Sequence, residues 1–100
     1  MTETRAGRRL QVITERELTI RNKVGLHARP AALFVQTAAR FKDTTIEVVK
    51  GGTVRNAKSI LNVLALGVSQ GTTITLRADG PEAEAALAAL IELVDSDFGE

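Results

Sequence analysis

The chain has no cysteine. Disulfide frameworks, thiolate metal sites and cysteine nucleophiles are therefore excluded, and a reducing compartment is permitted. Histidine occurs once, at His27, so the ligand set of a zinc site is missing too. No metal and no cofactor are expected. Tryptophan and tyrosine are absent, and Phe34, Phe41 and Phe98 are the only aromatic side chains. No apolar run approaches the ~20 residues that cross a bilayer, so no membrane insertion is expected. The opening Thr2-Glu3-Thr4-Arg5 leads into no apolar stretch of the secretory kind. Its arginines hint at a transit peptide, but Glu3 and the missing amphipathic pattern oppose one. Gly51-Gly52 lacks the Lys-Ser/Thr ending of a nucleotide-binding loop. A Ser-His-Asp triad can be drawn on paper with Ser59 or Ser69, and it is expected to lack a nucleophile elbow.

What is present fits one small domain. One hundred residues, 44% hydrophobic and 25% charged, give one core and an ordinary globular balance. The net charge of +1 hides an asymmetry. Arg5, Arg8 and Arg9 against Glu3 give residues 1–10 a balance of +2, leaving −1 for the other 90. Lys23, Arg29, Arg40, Lys42, Arg55 and Lys58 lie in the first part of the domain, whereas residues 81–100 hold six acids and no base. One end of the molecule could therefore attract an acidic partner. Residues 1–13 read as a flexible basic extension, and 14–100 as the domain.

Hydrophobic spacing predicts the elements. Leu18 and Ile20 alternate with Glu17, Thr19 and Arg21, giving a half-buried strand from Glu15. Ala31, Phe34, Val35, Ala38 and Phe41 form the stripe of a helix over 28–41. Pro30 is tolerated there if His27 is the N-cap, because a proline in the first turn lacks only an N–H with no helical acceptor. Thr44–Val49 and Thr53–Asn56 read as a hairpin, with Gly51-Gly52 at its turn both free to take positive φ. Ser59 caps a short helix carrying Ile60, Leu61, Val63, Leu64 and Leu66, and Gly67 ends it. Thr72–Ala78 is a fourth strand. Pro81 takes the first position of a last helix, with Glu82 and Glu84 complementing its dipole and Leu87, Leu90, Ile91 and Val94 facing inward. The order βαββαβα implies an α+β open-faced sandwich: an antiparallel sheet with one wet face and three helices on the other.

The candidate site is Gly25-Leu26-His27-Ala28-Arg29-Pro30-Ala31-Ala32, where strand pattern gives way to helix pattern. The first N–H groups of a helix favour an anion. Arg29 offers a planar fork of donors to a phosphate oxygen. His27 supplies a nucleophilic nitrogen, and the phosphoramidate it forms is labile. Together they read as a phosphohistidine site, in which positioning and charge stabilisation supply most of the catalysis. Ala28 is small and leaves room for a partner.

These residues resemble the signature of the histidine-containing phosphocarrier (HPr) family of the bacterial phosphoenolpyruvate-dependent sugar phosphotransferase system. Ala57-Lys58-Ser59-Ile60-Leu61, followed by Leu66-Gly67 and Gln70-Gly71-Thr72, is similar to that family's second motif. The resemblance runs from about Glu15 to about Val94 and supplies the detailed strand order. It implies a cytoplasmic phosphocarrier rather than an enzyme in its own right. Such a carrier takes phosphate on the δ1 nitrogen of His27 from enzyme I and passes it to enzyme IIA domains. Ser59 matches the serine that an ATP-dependent kinase/phosphorylase modifies in some bacteria with this family. Partner docking is implied around Ala28, Ala32, Lys58, Ile60 and Leu64. Ile60 and Leu64 share one face of the short helix, and Arg29 and Lys58 are expected to ring the apolar patch beside His27. A monomer is expected. A regulatory binding module of the same fold, acting through phospho-Ser59, is the alternative. Nucleic-acid binding is not expected: the βαββαβ order occurs in RNA-binding folds, but those stack bases on sheet aromatics, and all three phenylalanines fall outside the strands.

Overall fold

In the computed structural model, which describes residues 13–99, alternation along the strands decides which face each one buries. Strand β1 (Ile13–Thr19), β2 (Thr45–Lys50), β3 (Thr53–Asn56) and β4 (Thr73–Asp79) form one antiparallel sheet in the order β1-β4-β2-β3. Helices α1 (Ala28–Ala39), α2 (Ile60–Ala65) and α3 (Ala83–Asp95) complete the βαββαβα order. The extension expected over residues 1–13 lies outside the described residues up to residue 12, while Ile13 already opens β1, two positions before the expected Glu15.

The register stacks apolar side chains in rungs beneath the helices. Leu18 lies opposite Ile74, Val48 opposite Leu76, and Ile46 opposite Ala78. All but the half-buried Leu18 are fully enclosed. Such cross-strand pairs are the unit of sheet stabilisation. The other face is wet. There Arg77 on β4 spans its neighbours, with Nε donating to Glu15 Oε2 at 2.8 Å and Nη1 to Glu47 Oε1 at 3.4 Å. Phe34, Ala31 and Ala38 of α1 and Ala86, Leu87 and Leu90 of α3 fill the space over the buried face.

Several local expectations shift. Only Gly51 of the Gly-Gly pair takes positive φ (59°). Helix α1 ends at Ala39, though Phe41 remains in the core. Pro81 does not open α3: Glu82 is the N-cap and donates its N–H to Thr44 Oγ1 at 3.0 Å. The cause is the close approach of Gly80 to the preceding turn, where a Cβ would fall 2.7 Å from the Asp43 carbonyl oxygen. The chain must first pass that contact before it can wind. Ile91 is only half-buried. Phe98, read from the sequence only as an aromatic outside the strands, is 1% exposed and belongs to the core. It sits in a short 3-10 turn (Asp97–Gly99) with φ of 60°, folded back against α3.

Candidate functional site

His27 is the N-cap of α1, in extended conformation (φ −135°, ψ 153°), and its imidazole makes no capping hydrogen bond. The ring is exposed. Pro30 sits in the first turn, as its lack of an N–H requires. The amides of Ala28 and Arg29 precede the first carbonyl that a helical bond can reach, so they remain available to an anion. Arg29 is exposed and has no carboxylate partner among the described residues.

The sequence marks Ala28 as a small residue at the docking surface, and the structure adds strain. Its φ is +47°, in the left-handed region, where a Cβ costs roughly 1–2 kcal/mol. No periodicity or propensity signal marks such a residue in a sequence. Ala28 follows His27 directly and carries the first of the free amides, and its backbone turn lies at the junction between the extended N-cap and α1.

The loop before His27 is held from outside. Gly25 takes a φ of +64°, and a Cβ there would lie 2.2 Å from the Val68 carbonyl oxygen. Leu26 N–H donates to that same oxygen at 2.9 Å. Asn22 closes the turn, with Nδ2 donating to the Gly25 carbonyl at 3.0 Å. Val68 follows Gly67, whose φ of +64° ends α2, and Lys50 Nζ donates to the Leu66 and Gly67 carbonyls at 3.0 and 3.2 Å. The two sequence motifs are thus fastened together: the turn that ends α2 is the mould for the approach to His27.

Ser59 is the N-cap of α2, and its Oγ accepts from Asn62 N–H at 3.3 Å. Beyond it, Ile60 and Leu64, expected at a docking surface, are exposed. Leu61 between them is 77% exposed and Val24 is 55% exposed, and neither was picked out from the sequence. Ala28 is exposed and Ala32 half-buried. Lys58 departs from expectation. Its Nζ donates to the Phe41 carbonyl at 2.6 Å, beyond the far end of α1 and about 20 Å of helix from His27. Its ammonium does not join Arg29 in a ring around the imidazole.

Gly67-Val68-Ser69-Gln70-Gly71 does carry the letters of a nucleophile elbow, contrary to expectation, but not the geometry. Such an elbow joins a strand to a helix. Ser69 joins α2 to β4, and its Oγ lies 3.4 Å from the Thr72 hydroxyl. Among the described residues no group of three His, Cys, Asp or Glu side chains is gathered for a metal ion.

A family model described as the PTS HPr component phosphorylation site matches residues 14–96. The chain belongs to the HPr family. The phosphocarrier protein HPr of Xylella fastidiosa (strain Temecula1) is 49% identical over 86 residues, 86% of this chain and 96% of that protein. The HPr-like protein Crh of Halalkalibacterium halodurans is 41% identical over 85 residues, 85% of this chain and all of that protein. The crystal structure of HPr from Thermoanaerobacter tengcongensis matches with a TM-score of 0.85 and 52% identity, covering 87% of this chain and 97% of that one. Membership establishes the open-faced sandwich and a phosphoryl-carrier role in the phosphotransferase system. No described helix is long and apolar enough to cross a membrane.

Proposed function

We propose that this HPr-family protein accepts a phosphoryl group on His27 from phospho-enzyme I and passes it to enzyme IIA domains in the cytoplasm. The observation that carries this reading is the exposed imidazole at the N-cap, free of any capping bond, in front of unfilled helix amides. In the transfer, the lone pair of a ring nitrogen attacks phosphorus. The donor–phosphorus bond breaks and its electron pair stays on the donor. The amides of Ala28 and Arg29 and the guanidinium of Arg29 take up charge on the phosphoryl oxygens. The reverse sequence, with enzyme IIA as acceptor, regenerates the free imidazole. Ile60, Leu61 and Leu64 supply an apolar docking surface suited to a transient partner.

Incubation with phosphoenolpyruvate and enzyme I, followed by intact mass, tests the assignment. One phosphoryl group should be gained, labile to acid and stable to alkali. Gain of the same group by His27→Ala would remove His27 from the role.

Ser59 supports a second reading, a regulatory module acting through its phosphate. A phosphoserine at the start of α2 adds close to two negative charges and is favoured by the helix dipole. A module of that kind has no use for an exposed imidazole facing unfilled amides, which is why the carrier reading leads. Failure of enzyme I to phosphorylate the wild-type protein, with phospho-Ser59 still binding a regulatory partner, would reverse the order.

A further inference from the structure

Two arginines of the sheet, on β1 and β4, are matched by carboxylates. Arg16 pairs with Glu84 at 3.1 Å, and Arg77 with Glu15 and Glu47. A second group of cations is not matched. Beyond the C-terminal end of α1, a groove of about 500 Å³ runs between the α1–β2 turn and strand β3, and Lys42, Arg55 and Lys58 line it. Neither Lys42 nor Arg55 forms an ion pair among the described residues. Lys58 uses one N–H on the Phe41 carbonyl, leaving two of its three donors. Glu47 also lines the groove but is engaged by Arg77, so Asp43 is the one uncommitted carboxylate facing three cations.

The remaining lining is neither apolar nor purely basic. Asn56 Oδ1 accepts from Lys58 N–H at 2.9 Å, which leaves the Asn56 amide N–H groups as donors. The Thr45 hydroxyl has no partner among the described residues, and Asp43 offers acceptors. A bare anion would use the cations and leave these groups idle. A ligand with both a phosphate and several hydroxyls would use all of them. The volume falls within the ~300–1,000 Å³ of small-molecule sites.

We propose that this groove binds a phosphomonoester of a small polyhydroxylated molecule. Its phosphate rests against Lys42, Arg55 and Lys58, and its hydroxyls on Asp43, Thr45 and Asn56. The site lies about a helix length, ~20 Å, from His27, so its ligand does not compete with the phosphoryl group for the amides of Ala28 and Arg29. It is a place where the carrier can respond to a phosphorylated metabolite without losing its acceptor.

The test is a two-dimensional amide NMR titration of the full chain, with glucose 6-phosphate as the probe and glucose and inorganic phosphate as separate arms. Glucose 6-phosphate should give saturable shifts at Lys42, Thr45, Arg55, Asn56 and Lys58. Glucose should give none, and inorganic phosphate should bind more weakly. Arg55→Ala and Lys42→Ala, both at exposed positions, should each weaken binding about tenfold. Shifts confined to residues 27–29 would assign the phosphate to the start of α1 and overturn the proposal. Equal binding of inorganic phosphate, or affinities unchanged in both variants, would overturn it as well.

Discussion

Two neighbouring residues carry opposite burdens at the acceptor. Arg29 touches no carboxylate among the described residues, so its removal should leave the fold alone and act on the transferring phosphate. Arg29→Ala is expected to slow His27 phosphorylation by enzyme I at least tenfold, the weight of one charge-assisted hydrogen bond, with an unchanged melting temperature. Equal initial rates would exclude the guanidinium from the mechanism. Ala28 works the other way round. Its positive φ is a stability burden that a larger side chain aggravates. Ala28→Val should lower the urea unfolding free energy by roughly 1–2 kcal/mol, whereas Ala28→Gly should cost nothing. A valine variant as stable as the wild type would mean that φ is not positive in solution. The role of Arg29 is legible in the sequence; the strain at Ala28 is not, because alanine after histidine reads as a small, permissive residue.

At the scale of elements, most of the architecture was legible because period and punctuation agreed. The start of α1, the Ser59 cap and the Gly67 stop each rest on a local cause and hold where expected, while α1 ends two residues before Phe41. The misses have non-local causes. Helix α3 starts late because Gly80 is pressed against Asp43 and Thr44, residues far away in the sequence. Phe98 is buried by a backward turn that a lone aromatic past a helix end cannot announce. The strand order came from family likeness, since alternation says which face a strand buries and not which strand lies beside it. In the candidate site, His27 and Ser59 stand at the helix starts foreseen for them. Lys58 does not face the imidazole, because a carbonyl near the end of α1 claims its ammonium. Helix α2 also bears a prediction. Ser59→Ala removes the cap and should cost about 1 kcal/mol. Phosphorylation of Ser59 should keep the helix, by circular dichroism, yet lower the initial rate of His27 phosphorylation, because its charge repels an acidic enzyme I. High salt should narrow that difference. An unchanged rate in a fully phosphorylated, folded protein would leave Ser59 as a cap alone.

Across the whole molecule, charge and apolar exposure are unevenly spread. The side that carries α2 presents Ile60, Leu61 and Leu64, while α3 carries exposed Glu84, Glu92 and Asp95. Leu61 contributes little to the core, so Leu61→Glu should preserve the melting temperature and weaken enzyme I docking several-fold, measured as KM for phosphoryl transfer. An unaltered KM would move the docking surface elsewhere.

The sheet order carries a consequence for how the protein comes into being. Among the described residues strand β1 pairs only with β4, so that Ile13 must wait for Asp79, and Leu26 leans on Val68 just ahead of β4. The acceptor is encoded early and completed late. Contacts of such long sequence separation form slowly and all together. A chain ending before Thr73 should be unfolded by circular dichroism and inert to enzyme I. By the same reasoning, a nascent chain with β4 still inside the ribosomal tunnel should offer enzyme I no working acceptor, although His27 is already outside. Copies cut short before β4 should draw no phosphoryl groups from the donor, so that only chains whose sheet has closed should join the relay.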